Sequence, residues 1–146
     1  MAEFKSLTDT MLAAGQIAPD DVARAKDAGV TVIINNRPDD EAPGQPAGSD
    51  IEEAARRAGI DYVAIPVSSA GFSLPQVDSM AAAIDGAEGK VLAFCRTGTR
   101  STLLWAMAQA KAGRDIDTVA AEARAAGYDI SAVRPTMEML RDQGRG

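Results

Sequence analysis

The stretch VLAFCRTGTRSTLLWAMAQA, Val91–Ala110, holds the only cysteine of a 146-residue chain that has no histidine. Its first five residues are an unbroken apolar run, the pattern of a strand buried on both faces. From Thr99 the side chains change to good helix formers, which predicts a helix over Thr99–Ala112. Only Arg96, Thr97 and Gly98 separate the two. A strand that passes through so tight a turn into a helix belongs to an α/β sheet.

The same rhythm recurs on the N-terminal side. PDDVARAKDAG (Pro19–Gly29) reads as a helix with proline and acids at its start and glycine at its end, followed by the strand VTVII (Val30–Ile34). SDIEEAARRAG (Ser49–Gly59) reads as another, opened by a Ser49–Glu52 capping box and followed by the strand YVAIPV (Tyr62–Val67). A helix over Leu74–Asp85 precedes the strand Val91–Cys95, and two more helices are expected over Asp117–Ala126 and Ser131–Asp142. Helices alternating with short apolar strands predict a single-domain α/β fold: a parallel sheet with helices on both faces, spanning residues 1–146 with its core over about 5–142.

Three loops follow strand C-terminal ends: Asn35–Gly48, with three prolines and two glycines, Ser68–Ser73, and the turn after Cys95. Ligands of open α/β sheets bind at those ends, so the three loops are expected to converge on one pocket.

Composition narrows the chemistry. Fifteen basic against 21 acidic residues give a net charge of −6, which argues against nucleic-acid binding through a basic surface. No apolar run approaches the roughly 20 residues of a membrane span, and the N-terminus has no signal-peptide pattern. One free thiol suits a reducing, cytoplasmic setting. Without histidine, and with one cysteine, no zinc cluster can be built; no metal and no cofactor are expected. Thiol, carboxylate, hydroxyl and guanidinium must do the work.

A lone cysteine at the end of a buried strand is often a core residue. Its neighbours here point to a nucleophile instead. A loop that turns directly into a helix presents free N–H groups and the positive end of the helix dipole, which together cradle an anion and favour a thiolate. Gly98 permits the turn and the close approach of a bound group. Arg100 can grip an oxyanion with two parallel hydrogen bonds. Ser101 or Thr99 can donate to the thiolate or to a leaving group. Cys95 and Arg100 are thus the candidate catalytic residues, with Arg96, Thr97, Gly98, Thr99 and Ser101 as the anion-binding loop. Trp105 and Met107 read as core.

The run FCRTGTRS is similar to the active-site loops of cysteine-dependent phosphatases and of rhodanese sulfurtransferases. Over about residues 5–142 the chain more closely resembles a bacterial family, the phosphatase-like domain of the beta-lactamase hydrolase-like proteins, through VIINNRPDDE, GIDYVAIPV, VLAFCRTGTRSTLLWA and AAGYDI. That resemblance implies a fold like the tyrosine and dual-specificity phosphatases, with Cys95 as nucleophile and Arg100 as clamp. It also implies Asn36, Arg37 and Asp39 as pocket lining.

Three features depart from a working phosphatase. Four residues separate Cys95 from Arg100 where the phosphatase loop has five, which leaves less room for a phosphoryl group. Phe94 stands where many such enzymes have histidine. The loop Ser68–Ser73 has no carboxylate to protonate a leaving group, a service typically worth about 10²–10⁴-fold; Asp39 or Asp40 would have to supply it from another loop. Transfer of a sulfane sulfur needs neither the room nor the acid. The expectation is therefore a sulfurtransferase that carries a persulfide on Cys95, taken from thiosulfate, a polysulfide or glutathione persulfide and passed to a thiol or cyanide. A cysteinyl-phosphate phosphatase is the alternative, and an anion-binding partner module with little turnover a third. The expected ligand is a small sulfur- or phosphate-containing anion. The resemblance implies pathway partners such as a persulfide dioxygenase or a sulfide:quinone reductase.

Overall fold

A computed structural model describes residues 2–145. One sheet is built from β1 (Lys5–Ser6), β2 (Met11–Ala14), β3 (Val30–Asn35), β4 (Asp61–Ala64) and β5 (Lys90–Phe94), in the order β1-β2-β5-β3-β4. β2, β5, β3 and β4 run parallel, and β1 pairs antiparallel with β2 at one edge. The single-domain, mostly parallel α/β architecture expected from the sequence is the one observed.

Alternation along the strands divides the core in two. Met11, Ala13, Val32, Ile34, Val91 and Ala93 face one way, against Val77 and Met80 of α3 (Leu74–Asp85), Leu104 and Met107 of α4 (Thr99–Lys111), Val119 of α5 (Ile116–Ala125) and Met137 and Leu140 of α6 (Arg134–Arg145). Leu12, Ala14, Ile33, Leu92 and Phe94 face the other way, against Val22 of α1 (Asp21–Asp27) and Ile51 and Ala55 of α2 (Gly48–Ala58). Val30 and Val32 belong to opposite faces because a register shift between them inserts Thr31 as a bulge. Each buried side chain of this size contributes about 1.5–3 kcal/mol.

Three local expectations need correction. The hairpin β1–β2 has no counterpart in the sequence reading: Met-Leu-Ala-Ala has none of the β-branched residues that mark a strand, and it becomes one because all four residues are buried beside β5. The Ser49–Glu52 capping box does not form. α2 starts at Gly48 after an Ala47 N-cap with no side-chain cap, and Asp39 Oδ1 accepts the Gly48 N–H instead, at 2.8 Å. A capping box does open α3, between Ser73 and Gln76, which fixes the end of the β4–α3 loop. The last expected helix is a 3-10 turn, Ser131–Val133, running into α6. No helix among the described residues is long and apolar enough to cross a membrane.

The loops 36–47, 65–73 and 95–98 leave the C-terminal ends of β3, β4 and β5, three adjacent parallel strands. Their side chains meet there.

Candidate active site

Cys95 follows β5, the strand held between β2 and β3, and is fully buried. Its N–H donates to the Ala14 carbonyl at 3.3 Å, and its sulfur accepts the Gly98 N–H at 3.1 Å. Gly98 is the N-cap of α4 in a left-handed conformation, φ +90°. A β-carbon there would lie 2.1 Å from Tyr128 Oη and 3.2 Å from the Ala14 carbonyl. Conformation and space both demand glycine at this point.

The loop's carbonyls are tied outward. Arg96 O accepts from the Gln16 N–H at 3.2 Å, and Thr97 O accepts from Tyr128 Oη at 3.2 Å. The Thr97 and Thr99 hydroxyls bond each other at 3.0 Å on the exposed rim. Among the described residues the N–H groups of Arg96, Thr97 and Arg100 have no protein acceptor. Ser101, fully buried in the first turn of α4, has a hydroxyl without a hydrogen-bond partner. Leaving such a hydroxyl unpaired in the protein interior costs about 1–3 kcal/mol.

Arg100 does not face open solvent. Nη1 and Nη2 donate to the two carboxylate oxygens of Glu41 at 2.7 and 2.8 Å, and Nη1 also reaches the Val67 carbonyl at 2.6 Å. Arg37 joins the same carboxylate through Nε at 3.0 Å, while its Nη1 bonds Gln16 Oε1 at 3.1 Å. The Arg100 hydrogen bonds, ahead of those from Arg37 and against partial desolvation, lower Glu41 from an ordinary 4.5 to about 2. In return the Glu41 hydrogen bonds, against partial desolvation, raise Arg100 further above its ordinary range.

The residues of the β3–α2 loop have separate duties. Asn36 ties β4 to β3 through its side-chain bond to the Ile65 carbonyl at 3.0 Å, its carbonyl accepts the Val67 N–H at 2.9 Å, and its Oδ1 is a second buried orphan. It thereby fixes the segment after β4, where the Val67 carbonyl accepts from Arg100. Arg37 reaches Arg100 through Glu41. Asp39 anchors the start of α2 and lines a depression together with Arg37, Ser49, Tyr62 and Pro66.

Sequence reasoning passed over Glu41, Gln16, Tyr128 and the Val67 carbonyl. Glu41 lies within the quoted run VIINNRPDDE, but no spacing rule joins it to an arginine 59 positions later. Asp39 and Asp40 are the acids that the sequence singles out, whereas the carboxylate on Arg100 is their neighbour Glu41.

Residues 3–112 match the family described as the phosphatase-like domain of the beta-lactamase hydrolase-like protein. The chain belongs to that family. It is 34% identical over 125 residues to the beta-lactamase hydrolase-like protein of Xylella fastidiosa strain Temecula1, which covers 85% of this chain and 29% of that one. The chain thus spans about three-tenths of the length of the curated relatives it matches. Among solved structures it is similar to a candidate phosphatase of Neisseria meningitidis, with TM-score 0.81 and 31% identity over 94% of this chain and 97% of the other. It superimposes on TpbA of P. aeruginosa, crystallised with phosphotyrosine, with TM-score 0.69 and 19% identity over 99% and 96% of the two chains, a likeness of fold alone. The molecule is a phosphatase-like domain on a protein tyrosine phosphatase-like scaffold.

Proposed function

We propose that this domain hydrolyses phosphomonoesters through a cysteinyl-phosphate intermediate. The observation that carries the proposal is the grip of Arg100 on a carboxylate, with both guanidinium nitrogens on both oxygens at 2.7 and 2.8 Å, at the mouth of a loop whose cysteine sulfur receives a backbone N–H. A fork that holds one oxyanion in this way suits another.

In the first step the Cys95 thiolate attacks phosphorus, the bond from phosphorus to the ester oxygen breaks, and the leaving oxygen takes the electron pair and then a proton from solvent. In the second, water attacks phosphorus and gives up a proton to solvent, the phosphorus–sulfur bond breaks with its electron pair on sulfur, and the thiolate returns. Arg100 and the loop amides bind the charge that builds on the equatorial oxygens. The 65–73 loop has no carboxylate, so departure depends strongly on the leaving group: aryl phosphates react faster than alkyl phosphates.

The four-residue spacing between Cys95 and Arg100 favours a second reading, sulfur transfer. Here the thiolate attacks the outer sulfur of thiosulfate, the sulfur–sulfur bond breaks and sulfite leaves with the electron pair. An acceptor thiolate then takes the outer sulfur of the Cys95 persulfide and releases the Cys95 thiolate. Paired assays on one preparation separate the two, aryl phosphate hydrolysis beside thiocyanate formation from thiosulfate and cyanide, each repeated with Cys95→Ser. Phosphate release that vanishes in the variant is the expected result. Thiocyanate formation alone, with one extra sulfur on Cys95 by mass spectrometry, overturns the phosphatase reading in favour of the second.

A further inference from the structure

Arg37 and Arg100 point their donors at one carboxylate. Arg37 is nearly inaccessible, with 5% of its side chain exposed, and Arg100 is 21% exposed. Two guanidinium groups share the single charge of Glu41, and Gln16 gives Arg37 only a neutral partner. A cation so buried is tolerated only when paired, so before any charge on the Cys95 sulfur is counted the two arginines hold one positive charge more than Glu41 satisfies.

The loop that carries Glu41 is built to deliver it. The Glu41 N–H donates to Gln45 Oε1 at 3.0 Å, and Gln45 Nε2 donates to the Pro38 carbonyl at 2.9 Å. Asp40, immediately before it, takes a left-handed φ of +63°, the only non-glycine residue among those described to do so. The turn is held by its own side chains, and the Glu41 side chain crosses from it to Arg100 while remaining 26% exposed. Meanwhile Cys95 has no exposed surface, so a substrate can reach it only after something at the loop mouth moves.

We propose that Glu41 is an internal competitor that occupies the fork of Arg100, and that its displacement frees Arg100 and Arg37 for an anion at the loop mouth, selective for dianions over monoanions. This rests on the anion-handling reading of the loop given above. A single carboxylate offers the pair no more charge than Glu41 already does, and gains nothing by exchange. A dianionic oxyanion, with a third oxygen to reach Arg37, satisfies both cations and releases Glu41 to solvent. A phosphoryl group and thiosulfate share this chemistry.

Calorimetric titration tests the idea without turnover. Inorganic phosphate near pH 8, thiosulfate and acetate are each titrated into the wild type, Glu41→Ala and Glu41→Gln, with thermal melts to verify folding. The expected result is a dianion affinity on the order of tenfold tighter in Glu41→Ala, a smaller gain in Glu41→Gln, which keeps an acceptor oxygen but no charge, and far weaker acetate binding to the wild type than either dianion. Adding Arg37→Gln to Glu41→Ala is expected to abolish the gain. Dianion affinity that is unchanged or weaker in both folded single variants overturns the competitor role, while leaving the phosphatase reading in place. If thiosulfate binds and tightens but phosphate does not, the competitor role stands and the phosphatase reading fails. If neither dianion binds any variant, both fall.

Discussion

Two loops meet at Arg100, and they are held together by different physics. The loop 95–98 is specified by backbone: a buried strand before it, a helix after it, a glycine at φ +90° against Tyr128, and carbonyls tied back to Gln16 and Tyr128. The loop 36–47 is three times as long and is held by side chains, namely Gln45 on its own backbone, Asp39 on α2 and Arg37 and Glu41 on each other. Backbone-specified geometry cannot be exchanged without refolding the segment, whereas the partly exposed pair of Glu41 with Arg100 can exchange its carboxylate for another anion. One loop is a fixed cradle and the other its removable cover.

The hardest blow to the cradle is Gly98→Ala. A methyl group 2.1 Å from Tyr128 Oη, at a φ that alanine disfavours, should destabilise the fold by about 3 kcal/mol and abolish turnover, as read from chemical denaturation and aryl phosphate hydrolysis. Wild-type stability in that variant would mean that Tyr128 swings away freely and that the cradle is less rigid than described. Next comes Arg100→Lys, which keeps the charge but loses the fork. It should lower kcat/KM for an aryl phosphate about 100-fold. Full activity would show that the loop amides alone bind the oxyanion.

The smallest effect belongs to the cover. Glu41 is lowered to about 2 in the folded protein from an ordinary 4.5, so the stability it adds is complete above about pH 4.5 and is lost as pH falls through about 2. The difference in melting temperature between wild type and Glu41→Gln should be constant from neutral pH down to about 4.5 and close by about 2. Its size at neutral pH should correspond to under about 1 kcal/mol, since the pair is partly exposed. A gap that widens on acidification would contradict the ion pair.

The two loops also differ in how far they could be read in advance. The strand–loop–helix unit was legible because its parts are neighbours in the chain: an apolar pentad, a glycine two positions before an arginine, a helix pattern beyond. The alternating helices and strands were legible for the same reason, as was the division of the sheet into two buried faces. The hairpin β1–β2 was not, because Met11–Ala14 is a strand only by virtue of lying against β5, about 80 positions away in sequence. Nor was the start of α2, where Ser49 offers the better local cap and Asp39 in the preceding loop supplies the actual bond. Local propensity yielded to tertiary contact in both.

What the sequence by itself determined about this protein is the α/β scaffold and the placement of Cys95, Gly98 and Arg100 on one strand–loop–helix unit, since periodicity and backbone conformation act over a few residues. The tertiary structure alone decided what Arg100 holds. Glu41 and Arg37 come to it from a loop 59 and 63 positions earlier, and Val67 from one 33 positions earlier. Coulomb attraction acts between charges that are close in space, and the order of strands in the sheet, not the order of residues in the chain, brings these three groups within reach.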